Sequence, residues 1–389
     1  MVLAIPLAWL QLKQDKLRLA IALLGVGFAV VLIFMQLGFQ DALFSSSVRF
    51  HTAFEYDIAV ISPRTSVIGQ PRSFSRRRMY QALSHPDVAR VSSNYMSLGL
   101  WKNPRNPAES RVIYIVGINP EENSLKLPGV ENALEQIRLP NVALYDRLSR
   151  PEFGPIPELL ESGQNDGRGL FTEVEGRRIG IVGLYELGTS FGIDGSLVTS
   201  DLNFLRIFPN RPPGLINLGL ISLLPGSDPS KIRAELEAQL PQDVEILTRD
   251  QFVQREIDYW NQSTPIGYIF SFGVIVGLFV GSIIVYQILF ADVSDHLQEY
   301  ATLKAMGYSN GYLFGLVFQE AVLMAVLGFI PGYFITLGLY GVAGDATQLP
   351  LAMTASRAIM VLLLTVAMCM ISGSIAMRKI RTLDPADIY

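Results

Sequence analysis

Four stretches of this chain carry no charged residue: 19–40, 259–291, 321–344 and 358–377. Each reaches the roughly 20 apolar residues needed to cross the hydrocarbon core of a bilayer. Any one of them alone is compatible with a core helix of a soluble domain. Four together, with Gly-rich interiors and polar flanks, define transmembrane helices. The composition agrees: half of the 389 residues are hydrophobic and 17% are charged. The expected fold class is a membrane protein of four transmembrane α-helices, with a large α+β extracytoplasmic domain inserted between the first and second.

The charges around these spans set an orientation. Lys13, Lys16 and Arg18 precede the first span, and Arg378, Lys379 and Arg381 follow the last. The positive-inside rule places both termini in the cytoplasm. The start reads as an uncleaved signal anchor, because the apolar run is membrane-length and no small-x-small site follows it. Residues 1–18 read as an interfacial elbow helix, with Leu7, Trp9 and Leu10 on its apolar side. The expected order is then 19–40 first span, 41–262 outer domain with helical ends, 263–291 second span and 292–312 cytoplasmic helix. A third span at 313–344, a short outer loop at 345–357, a fourth span at 358–377 and a cytoplasmic tail at 378–389 complete it.

The outer segment, about 220 residues, is long enough for a folded domain. "YDIAVIS", "RVIYIVGI", "RRIGIVGLYEL", "GSLVTS" and "LGLISLL" read as strands. "SRRRMYQALSHPDV" and "DPSKIRAELEAQL" read as helices, the second capped by Ser230 with Ala234, Leu236 and Leu240 toward a core. The Pro-rich stretches 151–157 and 209–213 read as loops. "LTRDQFVQREIDYWNQSTPIGYIF" reads as a helix running into the second span.

Motifs for chemistry are few. "GTSFG" at 188–192 fits G-x-S-x-G, but that elbow needs a strand-to-helix turn and a later His. A strand signal follows instead, and the one later His, His296, lies across the expected membrane. A Gly-permitted turn is the preferred reading, with a hydrolase using Ser190 as its rival. His51, His85 and His296 are isolated, so no metal site is expected. No G-x-x-x-x-G-K-[ST] run occurs, so no nucleotide phosphate is cradled here. A net charge of −4 points to no nucleic-acid partner. The lone Cys369 excludes a disulfide within the chain. Arg76-Arg77-Arg78 reads as a solvated helix face, or as a patch for acidic partners or headgroups.

Within the spans, Glu320 is the ionisable residue expected nearest the membrane, at the cytoplasmic interface of the third span. Without a second acid or base, an ion-coupled transporter is disfavoured. Pro331 and Gly332 should loosen the third helix. Gly273, Gly277 and Gly281 form a small-xxx-small face, suited to packing within the chain or to a dimer. The helix of 295–314 puts Leu297, Tyr300, Ala301 and Lys304 on one face and Leu303 and Met306 on another, with Gly307 as its stop. It reads either as a connector or as a helix that docks in a partner's groove.

Several of these segments resemble a known family. "EYATLKAMGYSNGYLFGLVFQEAVLMAVLGFIPGY" and "RKIRTLDPADIY" are similar to the FtsX/MacB-type permeases of ABC transporters. "PLAWLQLKQDKLRLAIALLGVGFAVVLIFMQLGFQDALF", "LYELGTSFGIDGSLVTSDLNF" and "REIDYWNQSTPIGYIF" resemble the DevC-like permeases of cyanobacterial exporters more narrowly. The resemblance implies a non-catalytic membrane subunit of an exporter in the inner membrane. It implies a homodimer, a separate ATPase subunit that binds the ATP and Mg, a periplasmic adaptor and an outer-membrane channel. It further implies a lipid or glycolipid substrate moved by mechanotransmission, with no cofactor on this chain. The coupling residues it implies are Leu297, Glu299, Tyr300, Ala301, Thr302, Leu303, Lys304, Met306 and Gly307, with Glu320 close by. The alternative function is a membrane-anchored scaffold or regulator of an envelope protein.

Overall fold

The computed structural model describes residues 16–122, 124–162 and 170–377. The expected elbow helix, apart from its last residues, and the expected tail at 378–389 lie outside the described residues. The chain divides into two units, Met1–Ala42 with Pro265–Tyr389, and Leu43–Thr264.

The first unit holds the four apolar helices: α1 (Lys16–Ser47, whose last residues fall in the other unit), α8 (Pro265–Asp295), α10 (Asn310–Thr347) and α11 (Ala355–Ala376). All four are long and apolar enough to cross a membrane. A short helix, α9 (Leu297–Ala305), sits between α8 and α10. Val26, Val30, Ile33 and Phe34 of α1 share a buried core with Val285 and Leu289 of α8, Leu316 and Met324 of α10, and Met368 of α11. At 38 residues, α10 is about 57 Å long, well beyond the roughly 30 Å of a hydrocarbon core. Pro331 lies inside it without ending it, and the Thr336 hydroxyl donates to the Gly332 carbonyl at 2.7 Å.

Close approach of helices explains several glycines of this unit. A methyl added at Gly332 would lie 2.7 Å from Val30 Cγ1 and 3.0 Å from the Gly27 carbonyl oxygen, and one at Gly328 would lie 2.6 Å from Val26. The small-residue face of α8 also meets α1: Gly273 faces Gln36, Gly277 faces Ile33, and Gly281 faces Ala29 together with Met368 of α11.

The second unit is built on a mixed sheet. Its strands are β1 (Ile58–Ile61), β3 (Val88–Lys102), β4 (Ser110–Ile118), β5 (Val142–Asp146), β6 (Leu170–Val174), β7 (Arg177–Tyr185), β8 (Ser196–Ser200), β10 (Leu218–Leu223) and β11 (Glu245–Thr248). A two-residue ribbon, β2 (Phe74–Ser75) with β9 (Leu215–Ile216), stands apart. The order is β11-β1-β10-β3-β4-β8-β5-β7-β6, and β6 also meets β3 through Trp101 and Val174. Six strands therefore close on themselves as a barrel, which removes two free edges. β3 serves two sheets. Its first half pairs with β10 up to Asn94↔Leu218, and its second half pairs with β4 from Tyr95↔Gly117 onward.

Side chains alternate across this sheet, as strand geometry requires. Ile113, Ile115, Tyr145 and Leu197 enter one core, which also holds Trp101, Phe204 and Leu236. Tyr114, Val116, Leu144 and Val198 enter a second core with Phe50 of α2 (Arg49–Ala53) and Phe252 of α7 (Arg249–Gln262). The remaining helices are α3 (Arg77–Ala82), α4 (Ile156–Glu161), α5 (Asp201–Ile207) and α6 (Pro229–Gln239).

Local expectations need four corrections. The cap of α6 is Asp228, whose side chain accepts from the Ser230 N–H, not Ser230 itself. Ala234 is exposed, and Ile232 takes its place in the core beside Leu236 and Leu240. α7 does not run on into the second span. It ends at Ser263, and Pro265, lacking an N–H, opens α8. The stretch 151–157, read as a loop, contains the start of α4 and a 3₁₀ turn at Pro151–Phe153.

Candidate functional site

The turn joining α8 to α10 is built for exposure. α9 is rich in strong helix formers (Leu, Gln, Glu, Ala, Lys). It stops because Gly307 takes a left-handed conformation, φ +93°. The Gly307 N–H donates to the Lys304 carbonyl at 3.0 Å, and the Tyr308 N–H to the Leu303 carbonyl at 3.1 Å. That pair of bonds is a Schellman stop, which only a residue without a Cβ adopts at no cost. Ser309 then caps α10 by accepting from the Tyr312 N–H at 3.3 Å. Two helix ends are thus satisfied within three residues, and the chain reverses tightly.

The face of α9 that carries Tyr300 and Ala301 turns inward. Tyr300 and Ala301, expected on a docking face, are buried at 1% and 3% exposure. They pack into the core of the membrane helices, because a short helix beside an apolar bundle buries its largest aromatic there. Leu303 is half-buried against the same core, while Glu299 and Thr302 are exposed and Leu297 and Lys304 are intermediate. The outward apolar surface belongs to the turn itself. Met306 is 63% exposed and Tyr308 44%. The Tyr308 ring lies 4.8 Å from that of Tyr312, centroid to centroid.

Glu320, expected at the interface, is fully buried among the helices. It lies ten residues beyond the first residue of α10, where Leu316, Val317 and Ala321 line the same core. Asp292, near the end of α8, is also buried, and His296 Nδ1 lies 3.0 Å from its backbone oxygen.

One polar pair was missed from sequence. Arg357 of α11, 6% exposed, is ion-paired with Asp41 of α1. Its guanidinium also donates to the Ala352 carbonyl at 2.7 Å and to the Tyr340 hydroxyl at 3.3 Å. Tyr340 in turn donates to the Phe34 carbonyl at 2.5 Å. Three membrane helices are tied at one level. Each residue stands at the edge of an apolar run, where it reads as an interface anchor rather than a partner.

In the second unit, Ser190 sits in a reverse turn. Its backbone exchanges both hydrogen bonds with Ile193, at 2.9 and 3.0 Å, and β8 follows rather than a helix. The strand-to-helix elbow that a nucleophilic serine needs is not formed. The turn is fastened instead. Asp146 accepts the N–H groups of Leu187 and Gly188, Arg49 donates to the Thr189 carbonyl, and Phe191 packs edge-on to Trp260. The arginine run is engaged in part: Arg78 makes a bidentate pair with Asp243 and Arg76 lies over the Tyr80 ring, while Arg77 is exposed. No group of three or more potential metal ligands occurs among the described residues.

The architecture is that of a four-helix membrane protein with a mixed α+β domain between its first two apolar helices. Residues 271–385, which include α9 and the exposed turn, match the FtsX-like permease C-terminal domain. Two solved structures share features with the chain. One is the periplasmic region of MacB from Actinobacillus actinomycetemcomitans, 13% identical, covering 54% of this chain and 96% of its own, with TM-score 0.35. The other is the extracellular domain of the noncanonic ABC-type transporter YknZ from Gram-positive bacteria, 11% identical, covering 49% and 98%, with TM-score 0.34. No curated protein matches the chain.

Proposed function

We propose that the chain is the membrane subunit of an ABC exporter, driven by a separate ATPase that docks on the turn between α9 and α10. The match of residues 271–385 to the FtsX-like permease domain carries this reading. The geometry of the turn supports it. A rigid, doubly capped reversal presents Met306 and Tyr308 outward, while Tyr300 and Ala301 root α9 in the bundle. Force applied to the turn would pass into α10 without a flexible joint, since Ser309 caps that helix directly.

In this reading the termini and the turn are cytoplasmic, as the flanking lysines and arginines favour. The domain of 43–264 faces the opposite side. The chain works as a pair in the inner membrane, with a periplasmic adaptor and an outer-membrane channel, and ATP and Mg are held by the ATPase. The substrate is lipid-like, and the resemblance to DevC-like permeases favours an envelope glycolipid. Motion of the outer domain, rather than passage between the spans, moves it.

The test is co-purification with the ATPase of the same operon or, failing that, from native membranes. Met306→Glu with Tyr308→Glu should weaken ATPase association at least about tenfold, as loss of a buried aromatic anchor does. Tyr308→Phe should retain it. Unchanged association in the double variant, with the protein folded, rejects the docking site. A scaffold that only anchors an envelope partner would show no ATPase association in the wild-type chain either.

A further inference from the structure

We propose that the second unit carries a binding cleft for an anionic amphiphile, a ligand with one phosphate- or carboxylate-type group beside an apolar body. The cleft has a volume of about 640 Å³ and is lined by Arg72, Arg211, Glu175, Ile207, Phe208 and Pro212, among others. Ligand sites commonly enclose roughly 300–1,000 Å³ and combine an apolar lining with a few placed polar groups.

Its walls are held in place by the fold. The β2–β9 ribbon, through Phe74↔Ile216 and Ser75↔Leu215, ties the segment before Phe74 to the segment after Phe208. Pro71, Pro209 and Pro212 stiffen the rims. Glu175 stands in the β6–β7 turn at φ +50°. Its backbone N–H donates to the Leu100 carbonyl at 2.9 Å, and its carboxylate accepts the Leu100 N–H at 2.6 Å.

Arg211 is the fixed cation. Its guanidinium donates to Asn217 Oδ1 at 2.5 Å, and the same oxygen accepts the Met96 N–H at 2.9 Å. It also lies over the Phe204 ring. This anchors it where β3 passes from one sheet to the other. Burial lowers its pKa, because desolvation disfavours the charged form. Among the described residues neither Arg211 nor Arg72 has a carboxylate within ion-pair distance; Arg211 is balanced by neutral oxygens and a ring face. A half-buried guanidinium without a counter-ion is an incomplete pair. Arg72, exposed and lining the same cleft, adds a second fork suited to phosphate or carboxylate. Half-buried Phe208, with Pro209 and Pro212 beside it, supplies the surface for an apolar body, while Ile207 backs it from the core. Glu175 opposes the two arginines, so its charge should weaken binding rather than assist it.

The experiment titrates the full chain, in nanodiscs of zwitterionic lipid, with three soluble probes by calorimetry. The probes are dihexanoyl phosphatidylglycerol, dihexanoyl phosphatidylcholine and inorganic phosphate. The phosphatidylglycerol should bind saturably and more tightly than the other two. Arg72→Gln should weaken it about tenfold, the loss of one charge-assisted fork. Glu175→Gln should tighten it. Arg72 is exposed, so its variant keeps the fold. Absence of saturable binding, or equal binding by wild type and Arg72→Gln, overturns the site. Phosphate binding as tightly as the amphiphile assigns the cleft to a free anion and overturns the amphiphile.

Discussion

Asp146 is 1% exposed, yet four donors are aimed at its carboxylate. It accepts the N–H groups of Leu148 and Leu187 at 3.1 Å and Gly188 at 2.9 Å, and the Ser196 hydroxyl at 3.2 Å. Burial raises its pKa above the ordinary 3.8, and these hydrogen bonds offset only part of that rise. A raised folded-state pKa means the folded domain binds this proton more tightly than the unfolded chain. Its contribution to stability is full below 3.8 and is lost as pH rises through the folded value. The stability advantage of wild type over Asp146→Asn should therefore shrink as pH rises from about 3 toward neutrality, read by denaturant unfolding across that range. An advantage that grows with pH reverses the assigned sign. Asp146→Ala, which strands several buried donors, should cost about 3 kcal/mol near pH 3 and less as pH rises toward neutrality. "GTSFG" was legible as a turn from its glycines. Asp146 was not legible as the residue that fastens it, because its partners Leu187 and Ser196 stand 41 and 50 residues away.

Among the elements, the tie between α1, α10 and α11 shows how unequal the two ends of one ion pair can be. Arg357 is 6% exposed, while the Asp41 side chain is 59% exposed. Removing the exposed carboxylate leaves a buried guanidinium uncompensated. Replacing the buried guanidinium by an apolar chain leaves only a carboxylate in water. Asp41→Ala should thus cost about 3 kcal/mol or more, and Arg357→Met clearly less. Thermal unfolding of the detergent-solubilised chain measures both, and the double variant should resemble Arg357→Met alone. The reverse order of severity would remove the pair from the account of helix packing. The existence of each apolar helix could be read from its uncharged run, but not its ends: α10 covers Asn310–Thr347 around a run of 321–344. The side that α9 turns inward could not, because Tyr300 suits a groove in a partner as well as one in the same bundle.

At the scale of the whole molecule, each unit has its own core. Trp101, Phe204 and Leu236 belong to one buried cluster and Phe50, Tyr114 and Phe252 to another, all within Leu43–Thr264. The membrane helices enclose a third cluster. Residues 43–264 expressed alone should therefore be soluble, with a single cooperative unfolding transition by circular dichroism and a fixed aromatic signal. A gradual transition without that signal would mean the domain depends on the rest of the chain. The sequence by itself determined the four apolar helices, the strands of alternating pattern and the stop at Gly307. Each of these depends on residues within a few positions of one another: a run of apolar side chains, a period of two, a missing Cβ. Only the tertiary structure decided that β3 divides between two sheets, that Glu320 is buried, and that Asp41 meets Arg357 across 316 positions. Those outcomes depend on which distant groups share one low-dielectric space, and local patterns carry no record of that.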